Sequence, residues 1–102
     1  MNHNQKLQQL KAANRRLAML RFLAEEPDYS LNTSILQEAL DSIGIREIRA
    51  VIHADGAWLE HLGIITTEDL VSFRVFSLTS LGLDVVEGRI VIDGIKRPKP
   101  KV

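Results

Sequence analysis

Between Ser34 and Gly82 the apolar spacing changes twice, from the three-to-four step of a helix to the two-step of a strand and back. Few folds accommodate that order in so short a span. Ile35, Leu36, Ala39 and Leu40 share one helical face, and Ser34 with Gln37 fits a capping box in which hydroxyl and amide satisfy each other's free backbone donors. Gly44 suits the left-handed position that stops this helix. Almost at once Ile45, Ile48, Val51, Ile52, Leu59 and Leu62 predict a longer helix, ended by Gly63. Its apolar stripe has a gap at Asp55 and Gly56, where an interior glycine costs about 1 kcal/mol relative to alanine and permits a bend. Residues 64–66 and 71–78 are rich in β-branched and aromatic types, with Glu68 and Asp69 at the turn, which predicts a hairpin. Thr79 or Ser80 then caps a short helix through about Glu87, with Leu81, Val85 and Val86 inward, and Gly88 ends it.

Upstream, Leu10, Ala13, Leu17, Leu20 and Ala24 recur on one face and predict a helix over residues 5–25, ended by Pro27. Tyr29, Ser30 and Leu31 suit a short extended piece. Downstream, Ile90, Val91 and Ile92 read as one further strand before an Asp93-Gly94 turn. The last seven residues hold two prolines and four bases. The expectation is one α+β domain over residues 1–95, mostly helical, with an extended N-terminal helix, followed by a basic disordered tail over residues 96–102.

Length and composition fit that reading. A chain of 102 residues, 45% apolar and 25% charged, is long enough for one modest core. It contains no cysteine, so it has no disulfide, thiolate metal site or thiol nucleophile. No apolar run reaches the ~20 residues of a bilayer span and no signal-peptide core follows Met1, so the expected setting is the cytoplasm, away from membranes. Formal net charge is zero but unevenly placed. Before Glu25 stand five bases (Lys6, Lys11, Arg15, Arg16, Arg21) and no acid. From Glu25 to Asp69 there are ten acids against two bases, and from Leu70 onward six bases against three acids. Basic ends enclose an acidic middle, and that asymmetry matters more for partners than the sum.

Three runs carry a resemblance: Ile35-Leu36-Gln37-Glu38-Ala39-Leu40, Trp58-Leu59-Glu60-His61-Leu62-Gly63-Ile64-Ile65, and Phe76-Ser77-Leu78-Thr79-Ser80-Leu81-Gly82. Together they make the stretch resemble the winged helix-turn-helix of ArsR- and MarR-type bacterial regulators. The second run matches a recognition helix ending in Leu-Gly before a wing, and the third the Leu-Thr-x-x-Gly that follows the wing. The chain is also similar to small winged-helix proteins of Mu-like phages and prophages, including the Gly-Ile-Lys-Arg-Pro ending. The resemblance implies a three-helix core, a two-stranded β wing, a C-terminal helix and DNA binding by a small, dimeric transcriptional regulator. The chain departs from those regulators at three places. The recognition helix opens Gly44-Ile45-Arg46 without a serine or threonine cap. The cysteine ligands of ArsR-type metal sensing are absent, and the wing carries Glu68-Asp69 where DNA-binding wings place bases.

The DNA-binding candidates are Arg46, Arg49 and His53, whose spacings of three and four put them on one helical face, with Arg74 on the hairpin and Lys96 and Arg97 in the tail. The plain alternative is a solvated helix face and a solubilising tail, and the acidic hairpin opposes phosphate. His53 and His61 lie two helical turns apart, too far for one chelate, so no metal and no cofactor is expected. No phosphate loop, nucleophile elbow or acid-paired histidine appears, so the chain is not expected to be an enzyme. Trp58 reads either as core beneath the first helix or as an anchor for a partner. Leu10, Ala13 and Leu17 are the candidates for a homodimer interface along the protruding first helix. Two functions stay open: a DNA-binding regulator, or a winged-helix interaction module or adaptor of a phage or mobile element that contacts protein instead.

Overall fold

In the computed structural model, which describes residues 2–100, the chain opens with α1 (His3–Glu25). Its start is set by a capping box unseen in the apolar pattern. The Asn2 side chain accepts the Gln5 N–H at 2.8 Å, and the Gln5 side chain accepts the Asn2 N–H at 3.1 Å. Pro27 follows the helix end, and the Tyr29 backbone turns through a positive φ of 59°. The Tyr29 carbonyl accepts the Leu78 N–H at 2.9 Å, which ties that turn to the sheet and leads into β1 (Ser30–Asn32).

α2 (Thr33–Ser42) begins earlier than the sequence suggests. Asn32, the last residue of β1, caps it by accepting the Ile35 N–H at 2.8 Å, and Ser34 lies exposed in the first turn. Gln37, expected to complete a cap at Ser34, reaches instead across the following turn. Its amide nitrogen donates to the Glu47 carbonyl at 2.9 Å and its oxygen accepts from Arg49 Nε at 2.7 Å. Gly44 takes the expected left-handed conformation (φ 86°). Residues 45–48 are not helical, and α3 runs Arg49–His61. The expected start at Ile45 fails because no side chain there caps a helix. Ile48 takes the cap position without a side-chain hydrogen bond, and Gln37 holds the linker in place of a helical turn.

β2 (Ile65–Asp69) and β3 (Arg74–Leu78) form the hairpin, and β1 adds a third strand in the antiparallel order β1-β3-β2. Glu68 and Asp69 were expected in the turn but end β2; the turn is residues 70–73, closed by Leu70 N–H to the Phe73 carbonyl at 2.8 Å. The register pairs Ile65 with Leu78, which sends both into the core with Phe76. α4 (Ser80–Val86) starts at Thr79 as expected. The Thr79 Oγ1 accepts the Gly82 N–H at 3.1 Å and lies 2.7 Å from the Gly63 carbonyl. Residues 90–92 are not a strand: they have no partner edge, and Ile90 and Ile92 pack half-buried while Ile95 enters the core. Lys96 then donates its backbone N–H to the Ala13 carbonyl of α1 at 3.0 Å, and residues 96–100 run on without helix or strand. The part of the expected tail at 101–102 lies outside the described residues.

The described residues form an α+β arrangement of four helices and a three-stranded antiparallel sheet. Leu17, Leu20 and Leu23 of α1, Leu36 and Leu40 of α2, Ile52 and Leu59 of α3 and Phe76 of β3 form its centre. Residues 3–10 of α1 are all exposed, so only the later turns of that helix join the core.

Gly56 has a different purpose from the bend its sequence position suggests. It is buried in α3 directly against Phe76, and a Cβ there would collide with the ring. Alanine would gain about 1 kcal/mol of helix propensity, but overpacking a rigid, fully buried ring costs about 1–3 kcal/mol. Gly56→Ala is therefore expected to lower the urea midpoint, by a net loss of up to about 2 kcal/mol.

Candidate functional site

Asp55 points from α3 towards α1 and is only 3% exposed. Burying a carboxylate costs several kcal/mol unless it is paired, and here two consecutive arginines pair it. Arg15 forks onto both carboxylate oxygens, through Nε and through Nη2 at 3.2 Å, and its Nη1 reaches Glu47 at 3.2 Å. Arg16 Nε donates to the same carboxylate at 3.1 Å and its Nη1 to the Gly94 carbonyl at 3.0 Å. Its guanidinium carbon lies 4.1 Å from the centroid of the Trp58 ring, a cation–π contact. The hydrogen bond to Asp55 raises the Arg15 pKa above its ordinary value; desolvation opposes this, and the charges of Asp55 and Glu47 add to it. Two of the five N-terminal bases therefore face inward. The signal that marked this anchor in the sequence was the acid interrupting the α3 stripe, and its arginine partners some forty residues away carried no local signature.

The expected DNA-reading face is broken up. Arg46 precedes α3 and pairs with Asp41 at 3.1 Å, both largely exposed. Arg49 is the first residue of α3 and is exposed, with its Nε on Gln37. His53 Nε2 lies 3.0 Å from Thr33 Oγ1, and its ring meets the edge of Phe76 at 6.4 Å. Arg74 pairs across the hairpin with Asp69. Arg49, His53 and Arg74 thus share a neighbourhood, while Lys96 and Arg97 lie elsewhere, on the segment that crosses α1. The other exposed α3 positions include Ala50, Ala54 and Ala57, which carry no hydrogen-bonding group for a base edge. The hairpin turn beside them is apolar: Leu70, Val71 and Phe73 are all exposed, Val71 completely.

Of the dimer candidates, Leu10 is 60% exposed, Ala13 is half-buried with its carbonyl occupied by Lys96, and Leu17 is 2% exposed in the core. Trp58 is partly buried against the core and stacks on Arg16 of the first helix. Among the described residues no group of three His, Cys, Asp or Glu side chains is placed to hold a metal, and no helix is long and apolar enough to cross a membrane.

No model of a known protein family matches the sequence. The chain is 42% identical over 88 residues to "Uncharacterized protein gp26" of Escherichia phage Mu, an alignment covering 86% of this chain and 91% of the phage protein. The chain belongs to that phage protein family. Identity at this level over most of both chains implies a shared fold, so the buried Asp55 cluster and the exposed hairpin turn are features to compare within the gp26 family.

The charges of the site set two expected outcomes. Asp55→Ala leaves Arg16 partly buried without a counter-ion and Arg15 with Glu47 alone, and a loss of about 3–5 kcal/mol is expected in urea unfolding. The His53 pKa is lowered, first by burial and then by the charges of Arg74 and Arg49, against a smaller opposing pull from Asp69. A lowered pKa favours the neutral ring in the folded state. Its contribution to stability is therefore present above the ordinary histidine pKa of about 6.5 and is lost as pH falls through it. An NMR titration should give His53 a midpoint below 6.5, and His53→Gln should flatten the dependence of melting temperature on pH in that window.

Proposed function

We propose that this chain is a winged-helix interaction module of Mu-like phages, which docks a protein partner through its hairpin turn and the adjoining side of α3. The element order, helix, strand, helix, helix, hairpin, helix, is the order of a winged helix and supports that architecture. One observation carries the function: the hairpin ends in Leu70, Val71 and Phe73, all exposed, on strands whose acids are Glu68 and Asp69 and whose one base is already paired. A wing that grips a duplex must neutralise phosphate. An apolar turn rimmed by carboxylates instead suits an apolar pocket bordered by lysine or arginine on another protein.

A second reading keeps the DNA-binding regulator. It is favoured by Arg49, which stands exposed in the first turn of α3, where recognition helices contact bases. Self-association, if it accompanies either role, would rest on the exposed Leu7 and Leu10 of α1, since Leu17 is committed to the core.

The immobilised chain, exposed to an extract of cells infected by a Mu-like phage, is expected to retain a phage-encoded protein. The Val71→Asp/Phe73→Asp variant is expected to lose it, since removing a central apolar anchor costs about 2 kcal/mol or more. Retention by the double variant would overturn the reading. So would sequence-specific retardation of a duplex that Arg49→Ala weakens by about 1–3 kcal/mol.

A further inference from the structure

Three of the bases that make no ion pair among the described residues gather on a different surface. After Ile95 enters the core, the chain is pinned by the Lys96 N–H on Ala13 and passes between α1 and the end of α4. There Arg97 and Lys99 line a cleft of about 570 Å³ together with Arg21, two turns further along α1 than Ala13. All three are exposed and make no ion pair among the described residues. The one acid in the wall, Glu87, is already held by Arg89 Nη1 at 2.8 Å. Pro98 and Pro100 alternate with the two bases of the segment, and their fixed φ reduces the conformational freedom lost when those bases engage a ligand.

We propose that this cleft binds the phosphodiester backbone of nucleic acid, through Arg21, Arg97 and Lys99 and without reading sequence. Three cations from two chain segments converge in a cleft whose one lining acid is paired, while Glu25, a turn beyond Arg21, lines the neighbouring pocket and not this one. The same concentration is missing from the linker, α3 and the hairpin, where Arg46 and Arg74 pair with Asp41 and Asp69 and Arg49 bonds the neutral Gln37. Phosphate contacts of this kind supply grip but no base discrimination. The proposal stands on residues other than those of the docking surface above, so either can fail alone. With both, the protein bridges a protein partner and a nucleic acid.

The test is fluorescence anisotropy of the full chain with a labelled random-sequence DNA duplex. Three neutralised phosphates give a log–log salt slope of about −2.7, so raising salt from about 50 to about 200 mM should weaken binding by about 40-fold. Arg21→Gln/Arg97→Gln/Lys99→Gln should lose that salt dependence and bind at least tenfold more weakly at low salt, with circular dichroism reporting the fold. The single Arg97→Glu change, at an exposed position, should act in the same direction if the triple variant folds poorly. Absence of wild-type binding at low salt would overturn the proposal. It would equally be overturned by an unaltered slope in the triple variant, by a loss in Arg49→Gln matching that of the triple variant, or by equally strong binding to phosphatidylglycerol vesicles.

Discussion

A buried carboxylate shared by two neighbouring arginines sets the arrangement of the helices. An apolar contact between α1 and α3 would tolerate sliding, because hydrophobic attraction is non-directional. The hydrogen bonds from Arg15 and Arg16 to Asp55 have directions and lengths, and each group left unpaired in that site would cost several kcal/mol. The cluster also takes in Glu47, so α1, α3 and the linker between α2 and α3 are tied together at one point. The same arginine that closes the cluster stacks on Trp58 and holds the Gly94 carbonyl, so the C-terminal segment is positioned by it as well.

That cluster also redistributes charge. Counted along the chain, the N-terminal helix is a basic strip and the middle is acidic. In space Arg15 and Arg16 of the strip are turned inward against acids of the middle, and the bases of the linker, α3 and the hairpin bond Asp41, Gln37 and Asp69. Outward stand, among others, an apolar hairpin turn and a cluster of arginine and lysine between α1 and the C-terminal segment, with Lys6, Lys11 and Arg49 exposed elsewhere.

Several local rules are legible in the residues alone. Thr79 caps α4, Gly44 stops α2 in the left-handed region, and the alternation at residues 74–78 buries Phe76 and Leu78 as a strand should. Each depends on contacts within a few residues or on the period of the chain itself. The misplaced features depend on distant partners. The cap of α2 belongs to Asn32 because β1 ends there, and β1 exists only because β3 offers it an edge. Gln37 reads as a capping residue, yet it bonds to the linker before α3, which decides that Arg46 is not helical.

By itself the sequence determined the succession of helices and strands as far as α4, though not the strand expected at residues 90–92, and it excluded thiol chemistry, because periodicity and composition act locally. Tertiary structure alone decided which charges are free. Arg15 and Arg21 have the same chemistry and stand on the same helix, yet one is locked against Asp55 and the other opens on a cleft. Gly56 reads as a weak point in a helix and is instead the space that Phe76 fills. Electrostatic availability and steric fit are properties of pairs brought together by folding, and no single position in the chain records them.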